Sequence, residues 1–326
     1  MKKLIARFLA DIYRKVLEIS QKSYRNGPLS IKKSKARVIS VGNITWGGTG
    51  KTPLVAKLAG DLSASGKKVA ILTRGYGKDE VEELKKKLPH VPLLVGRDRI
   101  KTAREAVEKH GSEILILDDG FQHIRLHRDL DILTINSTEP FGPGGLIPVG
   151  TLREPMENIA RADLFILTKS DIGAKNVHWI TQKIHEIKPT AVIFEAVHKP
   201  LHFWDPVLNK AVGFHDFRVK KVASLSGLAD PHSFEKTVEN IGIEIVFAGR
   251  FDDHHDYSRS EIDEFLKRSE AVGAMDIVTT RKDFERLAPF FERGLPANWK
   301  RFQFWVLEIE FQLNDEDEFL RRCVNS

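Results

Sequence analysis

Val38-Ile39-Ser40-Val41-Gly42-Asn43-Ile44-Thr45-Trp46-Gly47-Gly48-Thr49-Gly50-Lys51-Thr52 decides the fold class. An apolar run enters a Gly-rich turn, and a helix-forming run leaves it. Glycines let a backbone fold closely around phosphate oxygens with its N–H groups turned inward. The helix that starts beyond them adds a favourable dipole. In such a turn Lys51 reaches the β- and γ-phosphates, and the Thr52 hydroxyl binds Mg2+. Thr45, Trp46, Gly47, Gly48, Thr49, Gly50, Lys51 and Thr52 are therefore the candidate nucleotide cradle. The strict spacing G-x-x-x-x-G-K-[ST] asks for glycine where this chain has Thr45, and Gly47 and Gly48 restore the lost flexibility.

Downstream, Ile114-Leu115-Ile116-Leu117-Asp118-Asp119-Gly120 reads as an apolar strand ending in two carboxylates. Beside a phosphate loop, such a strand end supplies the acid that holds Mg2+, directly or through water; a turn built on Asp119-Gly120 gives the same letters. Thr168-Lys169-Ser170-Asp171 follows another strand and resembles the base-recognition segment of GTPases, although a strand followed by a polar turn also reads this way. Phe251-Asp252-Asp253-His254-His255-Asp256-Tyr257 is dense in acid and imidazole. Adjacent side chains rarely point to one centre, so the alternatives are a surface loop or a general base with its partner.

Around these motifs the chain alternates. Strands are expected at 37–41, 68–73, 91–95, 113–117, 131–135 and 164–168, and helices at 51–65, 98–110 and 177–187. Alternation of this kind implies βαβ units and a mostly parallel sheet sandwiched by helices, the P-loop NTPase-like α/β arrangement. Residues 198–220 change character, with His198-Lys199-Pro200, Trp204-Asp205-Pro206 and Arg218-Val219-Lys220-Lys221, and read as a linker able to form a short hairpin. The expected organisation is an N-terminal helix in 1–30, a core domain over 31–197, the linker, and a second, smaller α/β domain over 221–326.

The net charge of +6 is unevenly spread over the 326 residues. Residues 1–37 hold eleven basic side chains against Asp11 and Glu18, a local +9 that leaves −3 for the remainder. A nucleic-acid partner would call for a basic domain face, which argues against one here. Ile5, Phe8, Leu9, Ile12, Val16 and Ile19 recur at helical spacing among these cations, and Gly27-Pro28 closes the run. Such a helix can lie in an anionic lipid interface or dock on its own domain. Charges interrupt it too often for a signal peptide or a membrane-spanning helix. Cys323 is the one cysteine, which excludes a disulfide framework and implies a reducing compartment.

Taken in order, several stretches resemble the tetraacyldisaccharide 4'-kinases of lipid A synthesis. They are the loop 40–53, Thr73-Arg74-Gly75-Tyr76-Gly77, Asp118-Asp119-Gly120-Phe121-Gln122-His123 and Phe141-Gly142-Pro143-Gly144-Gly145. Pro148-Val149-Gly150-Thr151-Leu152-Arg153-Glu154-Pro155, Asp253-His254-His255 and Thr280-Arg281-Lys282-Asp283 complete the set. Thr45 in the loop is usual for that family. The resemblance implies transfer of the γ-phosphate of ATP, with Mg2+, to the 4'-hydroxyl of a tetraacylated glucosamine disaccharide 1-phosphate. It also implies a peripheral protein on the cytoplasmic face of the bacterial inner membrane, among anionic lipids and with no obligate protein partner.

The family's general base is an Asp in Gly-Asp-Glu-Pro, assisted by the His of the second domain's Asp-His pair. The resemblance carries these roles onto Asp79, in Lys78-Asp79-Glu80-Val81, and onto His254, with Asp98 as a rival base; the flanking Gly and Pro are missing, and the segment before the acids is short. It further implies catalytic roles for Lys51, Asp119, Arg99 and Arg153, metal binding by Thr52, Asp118 and Asp119, and substrate contacts from Arg74, Glu80, Gln122, His123 and Glu154. The family's Thr-Glu-Lys-Asp reads Thr280-Arg281-Lys282-Asp283 here. The alternative function is a membrane-associated partition- or switch-type P-loop NTPase without lipid kinase activity. Those ATPases carry a signature lysine where this chain has Trp46.

Overall fold

The computed structural model describes residues 2–25, 30–75, 78–253 and 255–325, and the backbone alone at residues 2, 3, 25, 78–80 and 325. The chain divides into two units, residues 1–197 with 311–326, and residues 198–310.

In the first unit α1 (Lys2–Arg25) precedes an alternating series: β1 (Arg37–Gly42), α2 (Lys51–Ala64), β2 (Val69–Thr73), α3 (Lys78–Lys87), β3 (Leu93–Val95), α4 (Arg99–His110), β4 (Ile114–Asp118), β5 (Leu130–Asn136), β6 (Leu164–Thr168), α5 (Ala174–Ile187) and the start of β7 (Val192–Asp205). Among the described residues these strands form a parallel sheet ordered β7-β6-β5-β1-β4-β2-β3. The strands are apolar almost throughout because helices cover both faces. Alternate side chains divide between clusters on the two faces of the sheet. Ile39, Ile116, Ile132 and Ile166 face one, with Leu54, Val55 and Leu58 of α2. Leu133, Ile135, Phe165 and Leu167 face the other, with Ile180 and Ile184 of α5 and Ala10 of α1.

β1 lies between β4 and β5, with Val41 opposite Asp118 and Gly42 opposite Leu133. The phosphate loop therefore leaves the carboxyl end of a central strand beside the acidic end of β4. In open α/β sheets, ligands collect in the crevice outside such strand ends.

In the second unit, the rest of β7 pairs antiparallel with β8 (Lys210–Val212), Trp204 opposite Ala211, so the 198–220 segment contains a hairpin. β9 (Lys221–Ser226), α6 (Pro231–Asn240), β10 (Glu244–Arg250), α7 (Arg259–Ala271), β11 (Asp276–Thr280), α8 (Arg281–Glu292) and β12 (Gln303–Leu313) follow. Strands β10-β9-β11-β12 are parallel. Leu225, Phe265, Ile277, Trp299 and Phe304 fill one of its cores.

The C-terminus departs from the expected boundary. Residues from Phe311 onward, including α9 (Glu316–Asn325), belong to the first unit and not to a domain running to 326. Phe319 meets Phe194 edge to face at 5.6 Å, Arg37 Nε donates to the Cys323 carbonyl at 2.9 Å, and Glu316 pairs with Lys57 at 3.0 Å. Phe311, Leu313, Phe319 and Cys323 complete the core beneath α2.

Candidate active site

The phosphate loop is held in shape by hydrogen bonds from behind. Asn43, fully buried, donates from Nδ2 to Thr49 Oγ1 at 2.8 Å, and Thr49 Oγ1 meets Thr134 Oγ1 of β5 at 2.9 Å. Trp46 N donates to the Thr151 carbonyl, and Arg153 N to the Ile44 carbonyl, both at 2.7 Å. Residues 44–46 are thus zipped to 151–153, while Trp46, Gly47 and Gly48 remain exposed and Thr45 and Thr49 are buried. Gly50 sits in the left-handed region at φ 76°, and no side chain caps α2, which starts at Lys51. The first amides of α2 are thereby left for an anion. Thr52 is half-buried in that first turn.

Asp119 occupies the turn after β4 with φ 54°. Gly120 follows because a Cβ there would stand 2.6 Å from Ser40 Oγ and 2.7 Å from Leu117 Cβ. Arg153 grips the Asp119 carboxylate with Nη1 on Oδ1 at 2.7 Å and Nη2 on Oδ2 at 3.0 Å, and its Nη1 also reaches Asn43 Oδ1 at 3.0 Å. Lys51 Nζ lies 3.7 Å from Asp119 Oδ1. Burial pushes the Asp119 pKa up, but the Arg153 hydrogen bonds and the charges of Lys51, Arg153 and Arg99 outweigh it and hold the group below the usual carboxylate range. Asp118, buried at the strand end, accepts from the Thr73 hydroxyl at 3.0 Å. Thr52, Asp118 and Asp119 are hard oxygen donors, the chemistry Mg2+ takes alongside phosphate oxygens.

Neighbouring residues from the sequence reading fall into different places. Gln122 Nε2 donates to the Asn43 carbonyl at 2.8 Å and braces the loop. His123 is held neutral: burial first, then the charges of Arg99, Arg125 and Arg128, lower its pKa to about 4. Arg99 is buried and donates to the Gly96 carbonyl. Arg74 is exposed just beyond β2.

Two other candidates carry structural hydrogen bonds. Glu154 is 1% exposed, and both its oxygens are taken. Arg161 donates to each at 2.7 Å, and Gln21 and Asn158 add bonds to Oε2 at 2.9 and 2.8 Å. Glu154 therefore anchors α1 and the turn at 156–161. Asp98 caps α4, accepting from Ile100 N at 3.0 Å and Lys101 N at 3.3 Å, and the Lys101 amide leads the effects that hold its pKa low. The side chains of Asp79 and Glu80, in the first turn of α3, lie outside the described residues, as does His254.

In the second unit, Asp283 is fully buried and works as a structural node. Its Oδ1 accepts from Gly227 N at 2.9 Å and from the Tyr257 hydroxyl at 2.8 Å, and its Oδ2 accepts from Thr280 Oγ1 at 2.7 Å. Lys282 pairs with Asp253 at 3.6 Å, and Arg281 lies 4.2 Å over the Trp204 ring. The Thr280–Asp283 motif thus fastens the segment on either side of position 254. The letters Thr280-Arg281-Lys282-Asp283 mark the motif but not its role as a node, and no motif points to Arg161, Tyr13 or Gln21 behind the first unit's site.

Known proteins resemble this chain over most of its length. The family model described as Tetraacyldisaccharide-1-P 4'-kinase (LpxK) matches residues 3–85 and 79–325. A tetraacyldisaccharide 4'-kinase of Anaeromyxobacter dehalogenans is 37% identical, the alignment covering 82% of this chain and 76% of that protein. That of Desulfatibacillum aliphaticivorans is 32% identical, covering 97% and 90%. The crystal structure of LpxK from Aquifex aeolicus in complex with ATP superposes with a TM-score of 0.71 at 30% identity over 99% of each chain.

Proposed function

Because the chain belongs to the tetraacyldisaccharide 4'-kinase family, we propose that it moves the γ-phosphoryl group of ATP to the 4'-hydroxyl of a tetraacylated glucosamine disaccharide 1-phosphate. The observation that carries this reading is the Lys51–Asp119–Arg153 cluster at the mouth of the phosphate loop, with the uncapped start of α2 beside it. The switch-NTPase alternative has no comparable support, since the relatives found are named as kinases.

Phosphoryl transfer depends on positioning and charge neutralisation more than on covalent help. The amides of residues 47–52 would cradle the β- and γ-phosphates, and Lys51 would leave Asp119 to neutralise them. Arg153, already aimed by Asp119 and Asn43, would clamp charge that develops on the transferred group. Arg99 adds positive potential at the same mouth. Mg2+ would neutralise the phosphate oxygens, and Thr52, Asp118 and Asp119 are the residues that would hold it. Asp79 would take the proton as the hydroxyl oxygen bonds to the γ-phosphorus and the bond to ADP breaks, and His254 is the other residue to which the family resemblance gives a part in that transfer; both roles rest on that resemblance. Arg74, Gln122 and His123 would border the sugar.

The lipid acceptor makes α1 functional. Ala10 and Tyr13 pack on the first unit, and Tyr13 donates to the Arg153 carbonyl at 2.9 Å. The opposite side leaves Leu4, Ile5, Phe8, Leu9, Ile12, Val16 and Ile19 between 44% and 75% exposed. No helix among the described residues is long and apolar enough to cross a membrane. The reading is therefore a helix lying in the interface, apolar side down, with its Lys and Arg on anionic headgroups of the inner membrane's cytoplasmic face. Tandem mass spectrometry of lipid incubated with the protein, ATP and Mg2+ tests the proposal. A new phosphate on the distal sugar supports it; ATP hydrolysis with unchanged lipid opposes it.

A further inference from the structure

Thr168-Lys169-Ser170-Asp171 has no part in the chemistry above, yet β6 delivers it to the phosphate loop. Thr168 is fully buried and its Oγ1 donates to the Thr49 carbonyl at 3.1 Å. A Cβ on Gly50 would stand 3.0 Å from Thr168 Cγ2, so strand end and loop are in direct contact. Asp118 and Asp119 lie on the β4 side of the loop, where the metal and the γ-phosphate belong. The β5–β6 side is left for the nucleoside.

The turn beyond Thr168 is rigid and shaped. Lys169 takes the left-handed conformation, φ 54°, which is unfavourable for a side chain of its type. It is nevertheless buried, at 8% exposure, so its aliphatic stem is laid down and not extended into water. Ser170 N donates to the Ala196 carbonyl at 3.1 Å and Gly173 N to the Lys169 carbonyl at 2.9 Å. A Cβ on Gly173 would stand 2.3 Å from the Ser137 carbonyl carbon, and Asn176 Nδ2 donates to the Ser137 oxygen at 2.7 Å. The turn is therefore wedged against the segment after β5.

From this frame Asp171 projects into solvent. It does not cap α5, whose N-cap is Gly173 without a side-chain bond, and it has no hydrogen-bond or ion-pair partner among the described residues. A plain turn or helix cap would have used the carboxylate. An ionised carboxylate is a pure acceptor with two oxygens. Guanine presents two adjacent donors on one edge, N1–H and the exocyclic N2–H; adenine presents one donor beside an acceptor nitrogen that a carboxylate repels.

The geometry points to a purine-reading turn in which Asp171 accepts from N1–H and N2–H of guanine, so that the site takes GTP as well as ATP. This rests on the reading of residues 47–52 as a triphosphate cradle. Adenine is admitted because the phosphates bring most of the binding energy, whereas guanine gains a charge-assisted pair.

Displacement of a fluorescent ATP analogue from the full chain, with Mg2+, tests it using ATP, GTP and xanthosine triphosphate. Wild-type protein is expected to bind GTP at least as tightly as ATP. In Asp171→Asn the GTP-to-ATP affinity ratio should fall about tenfold or more, and xanthosine triphosphate, whose carbonyl and N–H suit an amide, should gain. Displacement by ATP but not GTP overturns the base assignment alone, as does an equal loss of both in Asp171→Asn. Displacement by neither overturns the triphosphate cradle and this assignment with it.

Discussion

Arg153 holds Asp119 through two parallel hydrogen bonds of 2.7 and 3.0 Å, and its own backbone is fastened to the loop at Ile44 and to α1 at Tyr13. One residue therefore ties the acidic strand end to the phosphate loop and to the helix expected to meet the lipid. Replacing the fork with a point charge, as in Arg153→Lys, breaks that registration. We expect kcat/KM to fall about 10²- to 10³-fold, as for other lost transition-state donors, with a smaller change in Tm. In Arg153→Ala the Asp119 pKa should rise. Asp119 has a folded pKa below its unfolded one, so its stabilising contribution is complete above the carboxylate range and lost as pH falls through the folded value. Acid unfolding of Arg153→Ala should accordingly begin at higher pH. Wild-type kinetics in Arg153→Lys would remove Arg153 from the site.

Glu154 predicts a stability effect without direct chemistry. Glu154→Gln leaves Arg161 buried without its counter-ion, and losing one partner of a buried pair costs about 3–5 kcal/mol. Urea unfolding should show that loss. The variant's remaining folded fraction should keep its ATP affinity, because Glu154 does not face the loop. A change under about 1 kcal/mol would place the pair among ordinary surface ion pairs.

The exposed side of α1 predicts membrane dependence. Phe8→Asp with Ile12→Asp removes two large apolar side chains while sparing Ala10, Tyr13 and Gln21, which dock the helix. Each lost burial is worth roughly 1.5–3 kcal/mol, so sedimentation with anionic vesicles should weaken by at least about tenfold. Tm should be unchanged. Equal vesicle binding by the double variant would mean that another surface meets the lipid.

His123 predicts a pH-dependent stability. Its ring Nε2 is buried without a hydrogen-bond partner among the described residues, and its folded pKa of about 4 lies below the ordinary 6.5. Between those values the unfolded chain binds the proton that the folded protein refuses. Stability from the neutral ring is thus complete above pH 6.5, declines as pH falls, and is gone near pH 4. The Tm of His123→Gln should slope less than that of the wild type across this window. Parallel slopes would show that the ring is freely solvated.

Strong local patterns survived translation into structure. The apolar runs at 114–117 and 164–168 could only be covered strands, and the glycines of 47–50 could only serve a close turn. What stayed hidden was local too, but ambiguous. The letters do not show that Asp98 caps α4, or that Arg161, seven residues on, closes over Glu154. Lys78–Lys87 is so rich in charge that its two buried apolar residues, Val81 and Leu84, are too few to signal the helix by periodicity. The C-terminal residues gave no hint of their destination, because the partner that fixes Phe319 is Phe194, more than a hundred residues earlier.

The most direct test follows γ-radiolabelled ATP in one reaction with the acylated disaccharide 1-phosphate, comparing wild type with Lys51→Ala. Label should enter the lipid with wild-type protein and fall by at least about 10³-fold in the variant, whose thermal unfolding stays near normal. Label appearing only as inorganic phosphate, or undiminished lipid labelling by Lys51→Ala, would contradict the account.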